Sequence, residues 1–420
     1  MPDAAGAGAV AAASVESRAS WLVALAAVAM LSVSFGAPLV VVVALKPIAA
    51  DLGDARAVPA LASSLTFLGA GAGGILMGWL SGRIGMRVVA MLGAAMVCAG
   101  LALASGGAAW QLLLGYGLLV GFLGNGALFP PMMAYVSRWF DRRRGTALAL
   151  VSSGQYVAGA LWPMPLERAV AAWGWQRTML GFALLVAAVV LPVAALVLRP
   201  PPPPPPGAAL DAGPAPGAPV LGMPPNLALA VLAVASFLCC VPMAMPAAHL
   251  VAFCSDLGIA AQRGAMMVSV LLVCAFLARQ FWGWVADRIG GLRTVLLGNV
   301  AQTAGMAAFL ATQDEAGLFL VAAAYGLGFS GIIPAWMLAV RQLFPAREAS
   351  WRMPTLLFLS LSGMAFGAWL AGALYDRFGS YAVAWEVGVA VNLAQVALVA
   401  ALLLRGGRRR RPGLRPAAAG

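Results

Sequence analysis

The sequence predicts an all-α membrane protein of twelve transmembrane helices, built as two six-helix bundles in a pseudo-twofold (6+6) arrangement. Three observations predict it. Of 420 residues, 62% are hydrophobic and 10% charged, whereas a soluble domain carries about a quarter charged residues on its surface. Apolar runs long enough to cross a hydrocarbon core of about 30 Å recur twelve times. A set of charged and glycine-rich signatures appears twice, in equivalent places of the two halves.

Taken in order, residues 1–20 are Ala/Gly-rich with Arg18 as their only base, and are expected to form a disordered cytoplasmic tail. The apolar run that follows is too long for a signal-peptide core, so it reads as an uncleaved first span. Spans are expected at 21–45, 58–81, 88–106, 110–134, 146–165 and 178–198, which together form an N-terminal bundle over 21–198. Residues 199–226 include seven consecutive prolines, Pro200 to Pro206, a composition that buries nothing and suits a polyproline or disordered cytoplasmic linker. Six further runs, at 227–252, 264–284, 293–312, 317–340, 353–374 and 382–404, make a C-terminal bundle over 227–404. A basic tail, 405–420, closes the chain.

Charge placement gives orientation. If the termini and alternate loops lie on one side, that side takes nineteen of the arginines and the other takes Lys46 and five arginines, with Arg279 left inside span eight. This asymmetry places both termini in the cytoplasm of a multi-pass protein of the inner (plasma) membrane. The net charge of +12 is therefore a topology signal, and no nucleic-acid partner is expected. The five cysteines lie in or beside apolar segments without C-x-x-C spacing and read as small hydrophobes, with neither disulfides nor a metal site.

The halves repeat. Gly78-Trp79-Leu80-Ser81-Gly82-Arg83-Ile84-Gly85-Met86-Arg87 follows span two as Gly283-Trp284-Val285-Ala286-Asp287-Arg288-Ile289-Gly290 follows span eight, 205 residues later. Arg138 and Arg341 end spans four and ten, and Pro130 and Pro334 precede them at matching offsets. Such repeats in parallel orientation indicate a duplicated six-helix unit. The turn resembles the G-x-x-x-D-R-x-G signature loop of the major facilitator superfamily, with Gly82 standing where the first copy usually has aspartate. Trp139-Phe140-Asp141-Arg142-Arg143-Arg144-Gly145 resembles the start of span five in the monocarboxylate porter and oxalate:formate antiporter branches. Ala278-Arg279-x-x-x-Gly283 and Gly372-Ala373-Leu374-Tyr375-Asp376-Arg377-Phe378-Gly379-Ser380-Tyr381 are similar to segments of the same branches. The resemblance implies alternating access by two rocking bundles and a substrate carboxylate bound by Arg279. The monocarboxylate porters carry an aspartate four residues before that arginine, where this chain has Ala275.

Arg279 is the leading site candidate on physical grounds as well. It lies roughly 12 Å along the helix from Asp287, near the bilayer midplane, where an arginine costs at least about 2.5–3.5 kcal/mol unless it has a partner or a wet cavity. An anionic substrate is one counter-charge; a helix-locking role on backbone carbonyls is the competing one. His249, the only histidine, is either a proton acceptor or substrate donor near the outer mouth, or a structurally bonded group. Gln155 and Tyr156 in span five, and Asn125 in the glycine-flanked bend of span four, could bond substrate or another helix. Trp336 and Phe35 are candidate apolar walls. Gly78, Arg83, Gly85, Arg87, Gly283, Asp287, Arg288 and Gly290, with Arg142 and Arg143, are expected to work as conformational machinery, the acid–base pair latching the cytoplasmic side.

The expected function is secondary transport of small organic anions, mono- or dicarboxylates, with a coupling proton or an exchanged anion. The other readings are efflux of amphipathic solutes and a non-transporting sensor. No G-x-x-x-x-G-K-[ST] loop occurs, which excludes ATP-driven transport by this chain, and a single histidine excludes an H-E-x-x-H zinc site. The chain is thus read as no enzyme, with no cofactor, working as a monomer in the lipid bilayer.

Overall fold

The computed structural model describes residues 14–52, 57–202 and 217–409. Among them there is no β-strand, only one isolated bridge between Val220 and Met223, and the rest of the architecture is helical. Residues 203–216 of the expected linker, with four of its seven consecutive prolines, lie outside the described residues.

The N-terminal half begins with span one, Arg18–Val43, and a short helix, Leu45–Asp51. Span two is Ala57–Ile84 and span three Met86–Ala104. Span four runs from Ala109 to Val136, and its middle, Gly115–Asn125, widens into a π-helix. Span five is built from Arg144–Ser152, Gly154–Leu161 and the first turns of the helix Pro163–Val197; Gly174, at φ 78°, breaks that helix and turns the chain into span six. The C-terminal half holds span seven, Pro225–Asp256, span eight, Ala261–Ile289, and span nine, Gly291–Ala311. Span ten comprises Glu315–Phe329 and Ile332–Leu343. Span eleven is Ala349–Phe378 and span twelve Tyr381–Arg409.

Eleven of these segments are long and apolar enough to cross a membrane. The twelfth, span five, is divided at Ser153 and Trp162, so no single helix in it reaches the length a crossing needs.

The duplication read from sequence is visible in three dimensions. Gly85 and Gly290 both cap the helix that follows them, at φ 88°, ψ 152° and φ 84°, ψ 158°. That region is essentially open to glycine alone, which is why both copies of the turn need glycine there. A tyrosine of span four, Tyr116, donates its hydroxyl to the Ala37 carbonyl of span one at 3.2 Å, and Tyr325 of span ten donates to Pro242 of span seven at 2.9 Å. In the second case Pro246 has no N–H to offer the Pro242 carbonyl, so the phenol satisfies an acceptor that the proline frees.

One expectation needs correcting. Residues 14–20 are not a loose tail: Ser17 caps span one, and the Glu16 carboxylate accepts from the backbone N–H groups of Asp141 at 3.2 Å, Arg142 at 2.6 Å and Arg143. The sequence showed mostly small residues there, with Glu16 as the one acid. It could not show that the loop between spans four and five presents three backbone donors within reach of an acid.

Candidate functional site

The halves join chiefly through span two against span eleven and span five against span eight, with span four also meeting span eleven and span five meeting span ten. The named contacts gather toward the end of the molecule that carries the termini. A side chain at Gly78 would collide with the Ser350 carbonyl, and one at Gly283 would lie 2.7 Å from the Ala149 methyl. At the opposite, distal end, Gly159 has open space around it and Leu161 is 51% exposed. The halves are therefore closed together at the termini end and separated along the distal part of span five.

Asp287 makes that closure specific. Its carboxylate accepts from the backbone N–H of Gly145, from the N–H of Thr146 at 2.9 Å, and from the Thr146 hydroxyl at 2.6 Å. These are the first residues of span five, whose leading N–H groups have no partner inside the helix and whose dipole favours a negative charge. An acid of the C-terminal half thus caps a helix of the N-terminal half. Arg288 turns away to lie over Trp284 at 3.5 Å, and Arg83 does the same over Trp79 at 3.9 Å. In the first copy Gly82 faces the Ser350 side chain and contributes no charge. Arg142 and Arg143 engage Glu16 through their backbone, while Arg144 ties the loop down by donating Nε to the Ser137 and Phe140 carbonyls, each at 2.9 Å.

Deeper along the same interface lies Arg279, 6% exposed. Its Nε donates to the Ser330 carbonyl at 3.0 Å, and NH1 donates to the Ser152 carbonyl at 3.0 Å and hydroxyl at 3.2 Å. NH2 donates to the Tyr156 hydroxyl at 2.9 Å, with the guanidinium 4.3 Å from the centre of that ring. Beside it, Gln280 donates to the Ser153 hydroxyl at 3.1 Å. No carboxylate is bonded to Arg279 among the described residues. The cation is held by neutral oxygens and one aromatic face, and it bridges spans eight and ten of one half to span five of the other.

Of the predicted site residues, the structure brings together Arg279 and Tyr156, with Gln155 half-buried next to them. Asn125 accepts from the Ser34 hydroxyl within the N-terminal half, and Phe35 packs edge-on against Phe129 at 5.3 Å. Trp336 is fully buried, its indole nitrogen without a partner among the described residues. His249 is elsewhere. Its Nε2 is 2.8 Å from the Ala368 carbonyl, which can only accept, so Nε2 carries the proton and Nδ1 accepts from the Tyr381 hydroxyl at 3.0 Å. That places it in a junction of spans seven, eleven and twelve near the distal end. Sequence reasoning missed Ser152, Thr146, Ser330 and Glu16, whose roles rest on partners distant in the chain.

Comparison with known proteins agrees with this architecture. The Major Facilitator Superfamily model matches residues 21–253 and 231–420. Monocarboxylate transporter 11 of Mus musculus is 28% identical over 385 residues, covering 87% of this chain and 83% of its own. The agnestins efflux protein AgnL12 of Paecilomyces divaricatus is 26% identical over 333 residues, covering 78% and 74%. The crystal structure of the superfamily transporter FucP in the outward conformation superposes with a TM-score of 0.70 at 14% identity, over 92% of this chain and 99% of that one. With the family model spanning nearly all of both bundles, this chain is a multi-pass transporter that belongs to the Major Facilitator Superfamily.

Proposed function

We propose that the protein transports small organic anions, mono- or dicarboxylates, by alternating access, and that Arg279 binds the substrate carboxylate. One observation carries this reading: a buried guanidinium at the interface of the halves that has no counter-ion among its partners. Neutral oxygens satisfy its N–H groups but leave its charge uncompensated, which is costly in an apolar medium. A carboxylate would meet the guanidinium in a bidentate fork, the strongest geometry open to it. The Ser330 hydroxyl, buried and unpartnered among the described residues, stands on the residue that already holds Nε and supplies a further donor.

The mechanism follows from what the anion must displace. NH1 and NH2 are held by Ser152 and Tyr156 of the opposite half. An anion that takes those donors loosens the mid-membrane tie between spans five and eight, leaving Asp287 on the start of span five as the remaining charged tie at the termini end. The halves can then rock about the site. We place the termini in the cytoplasm, so the closed end is the cytoplasmic one. His249, bonded on both ring nitrogens away from this site, has no part in it, and Ala275 offers Arg279 no acid to exchange protons with.

Purified protein in proteoliposomes should exchange a labelled carboxylate, and Arg279→Gln should lower the rate at least 100-fold while leaving a folded protein. Full transport by Arg279→Gln overturns the assignment. The relative named as an efflux protein motivates a second reading, export of amphipathic solutes, and the same vesicles decide it: selective movement of amphipathic dyes with no carboxylate exchange would favour that reading.

A further inference from the structure

Spans nine and twelve carry the same pattern: Asn299-Val300-Ala301-Gln302 and Asn392-Leu393-Ala394-Gln395. All four amide side chains are fully buried. Asn299 Nδ2 donates to the Val295 carbonyl at 2.8 Å, and Gln302 Nε2 reaches the Cys239 carbonyl of span seven at 3.1 Å. Asn392 Nδ2 donates to the Asn299 carbonyl at 3.2 Å and to the Thr303 hydroxyl at 2.9 Å. Because carbonyls only accept, these bonds fix which amide atom is the nitrogen and which the oxygen. The oxygens are then left over. Asn299 Oδ1, Gln302 Oε1, Asn392 Oδ1 and both amide atoms of Gln395 have no partner among the described residues.

The other half shows that these amides are not needed for packing. Spans three and nine share register through Gly93 and Gly298 and through Gly100 and Gly305, each pair 205 residues apart. Asn299 and Gln302 therefore correspond to Ala94 and Val97. Spans six and twelve align through Ala194-Ala195-Leu196-Val197-Leu198-Arg199 and Ala400-Ala401-Leu402-Leu403-Leu404-Arg405, 206 residues apart, so Asn392 and Gln395 correspond to Val186 and Val189. Ala94, Val97 and Val186 are fully buried in the matching junction. The same helix packing is achieved there with apolar residues alone.

A cavity of about 230 Å³ opens between the distal ends of spans seven, nine and twelve, lined among others by Phe253, Phe309, Gln313, Trp385 and the exposed Asp256. Phe309 and Trp385 each lie seven residues from an amide of the cluster, about 10 Å of helix. A carboxylate at the mouth raises the local concentration of cations.

We infer that this junction is a binding site for a small monovalent cation, entered past Asp256 and held by the amide oxygens of Asn299, Gln302, Asn392 and Gln395. The chemistry selects the charge. Neutral carbonyl-type oxygens replace the hydration shell of a monovalent ion, whereas divalent ions of this hardness take carboxylates, and neither span nine nor the facing part of span twelve supplies one. Amides do not titrate, so a proton is not the occupant. An ion there would tie spans nine and twelve to the proline-bent stretch of span seven.

The test is thermal unfolding of the detergent-purified protein in sodium, potassium or choline chloride at equal ionic strength, with no carboxylate present. At least one alkali chloride should raise the Tm saturably by several degrees over choline, as a ligand of the folded state does. The variant Asn299→Ala/Gln302→Val/Asn392→Val/Gln395→Val copies the apolar half and should fold without that response; Gln395→Val alone should weaken it. Equal Tm in all three salts, or an alkali-specific shift that survives in the fourfold variant, overturns the site. Neither outcome bears on Arg279 and its anion.

Discussion

At the scale of single residues, Arg279 and Tyr156 show how a charge is kept inside a membrane without an acid. The guanidinium is anchored on one side by the Ser330 carbonyl and on the other by Ser152 and Tyr156, so two of its three nitrogens donate across an interface that must open. Tyr156→Phe keeps the ring under the cation but removes the acceptor from NH2. An unpaired buried donor costs about 1–3 kcal/mol, a cost borne by the ligand-free protein and relieved when an anion binds. The variant should therefore unfold at lower temperature when empty, yet bind carboxylate roughly five- to a hundredfold more tightly by titration calorimetry. Weaker binding would instead place the Tyr156 hydroxyl in contact with substrate.

At the scale of elements, the two turns and the broken span five carry the argument. Gly85 and Gly290 hold φ values of 88° and 84°, a conformation that costs other residues about 1–3 kcal/mol. Gly85→Ala and Gly290→Ala should each lower the Tm measurably in detergent, whereas Gly159→Ala, with nothing within 4 Å of the added methyl, should leave it unchanged. These turns were legible in the sequence because a glycine requirement is local and appears in both copies. The break at Ser153 was not. Span five reads as one apolar run of adequate length, and the hydroxyls that interrupt it gain their meaning from Arg279 and Gln280 on a helix more than a hundred residues away.

At the scale of the whole molecule, closure at the termini end rests on contacts between halves, of which Asp287 on the start of span five is the charged one among the described residues. Hydrogen bonds to a charged group contribute about 1.5–3 kcal/mol each. Asp287→Asn should thus shift the balance toward the state open at that end by about tenfold or more. With cysteine introduced at Ser350, which faces Gly82 across the interface, alkylation from water should be at least several-fold faster in the Asp287→Asn background. An unchanged rate would mean that helix packing alone keeps that end shut.

The sequence by itself determined the solvent, the number of spans and the duplication. These follow from composition, from the length an apolar run needs to cross a bilayer, and from glycines and charges repeated at a fixed spacing. It also singled out Arg279, because a charge within an apolar run stands out without any knowledge of its neighbours. Only the tertiary structure decided what each singled-out residue touches. His249 is bonded to spans eleven and twelve, away from Arg279; Asp287 caps a helix of the opposite half; Glu16 belongs to the loop before span five; and four amides from two distant spans share one buried junction. Partner choice depends on which helices pack together and at what depth, and apolar helices of similar length carry almost no record of that in their own sequences.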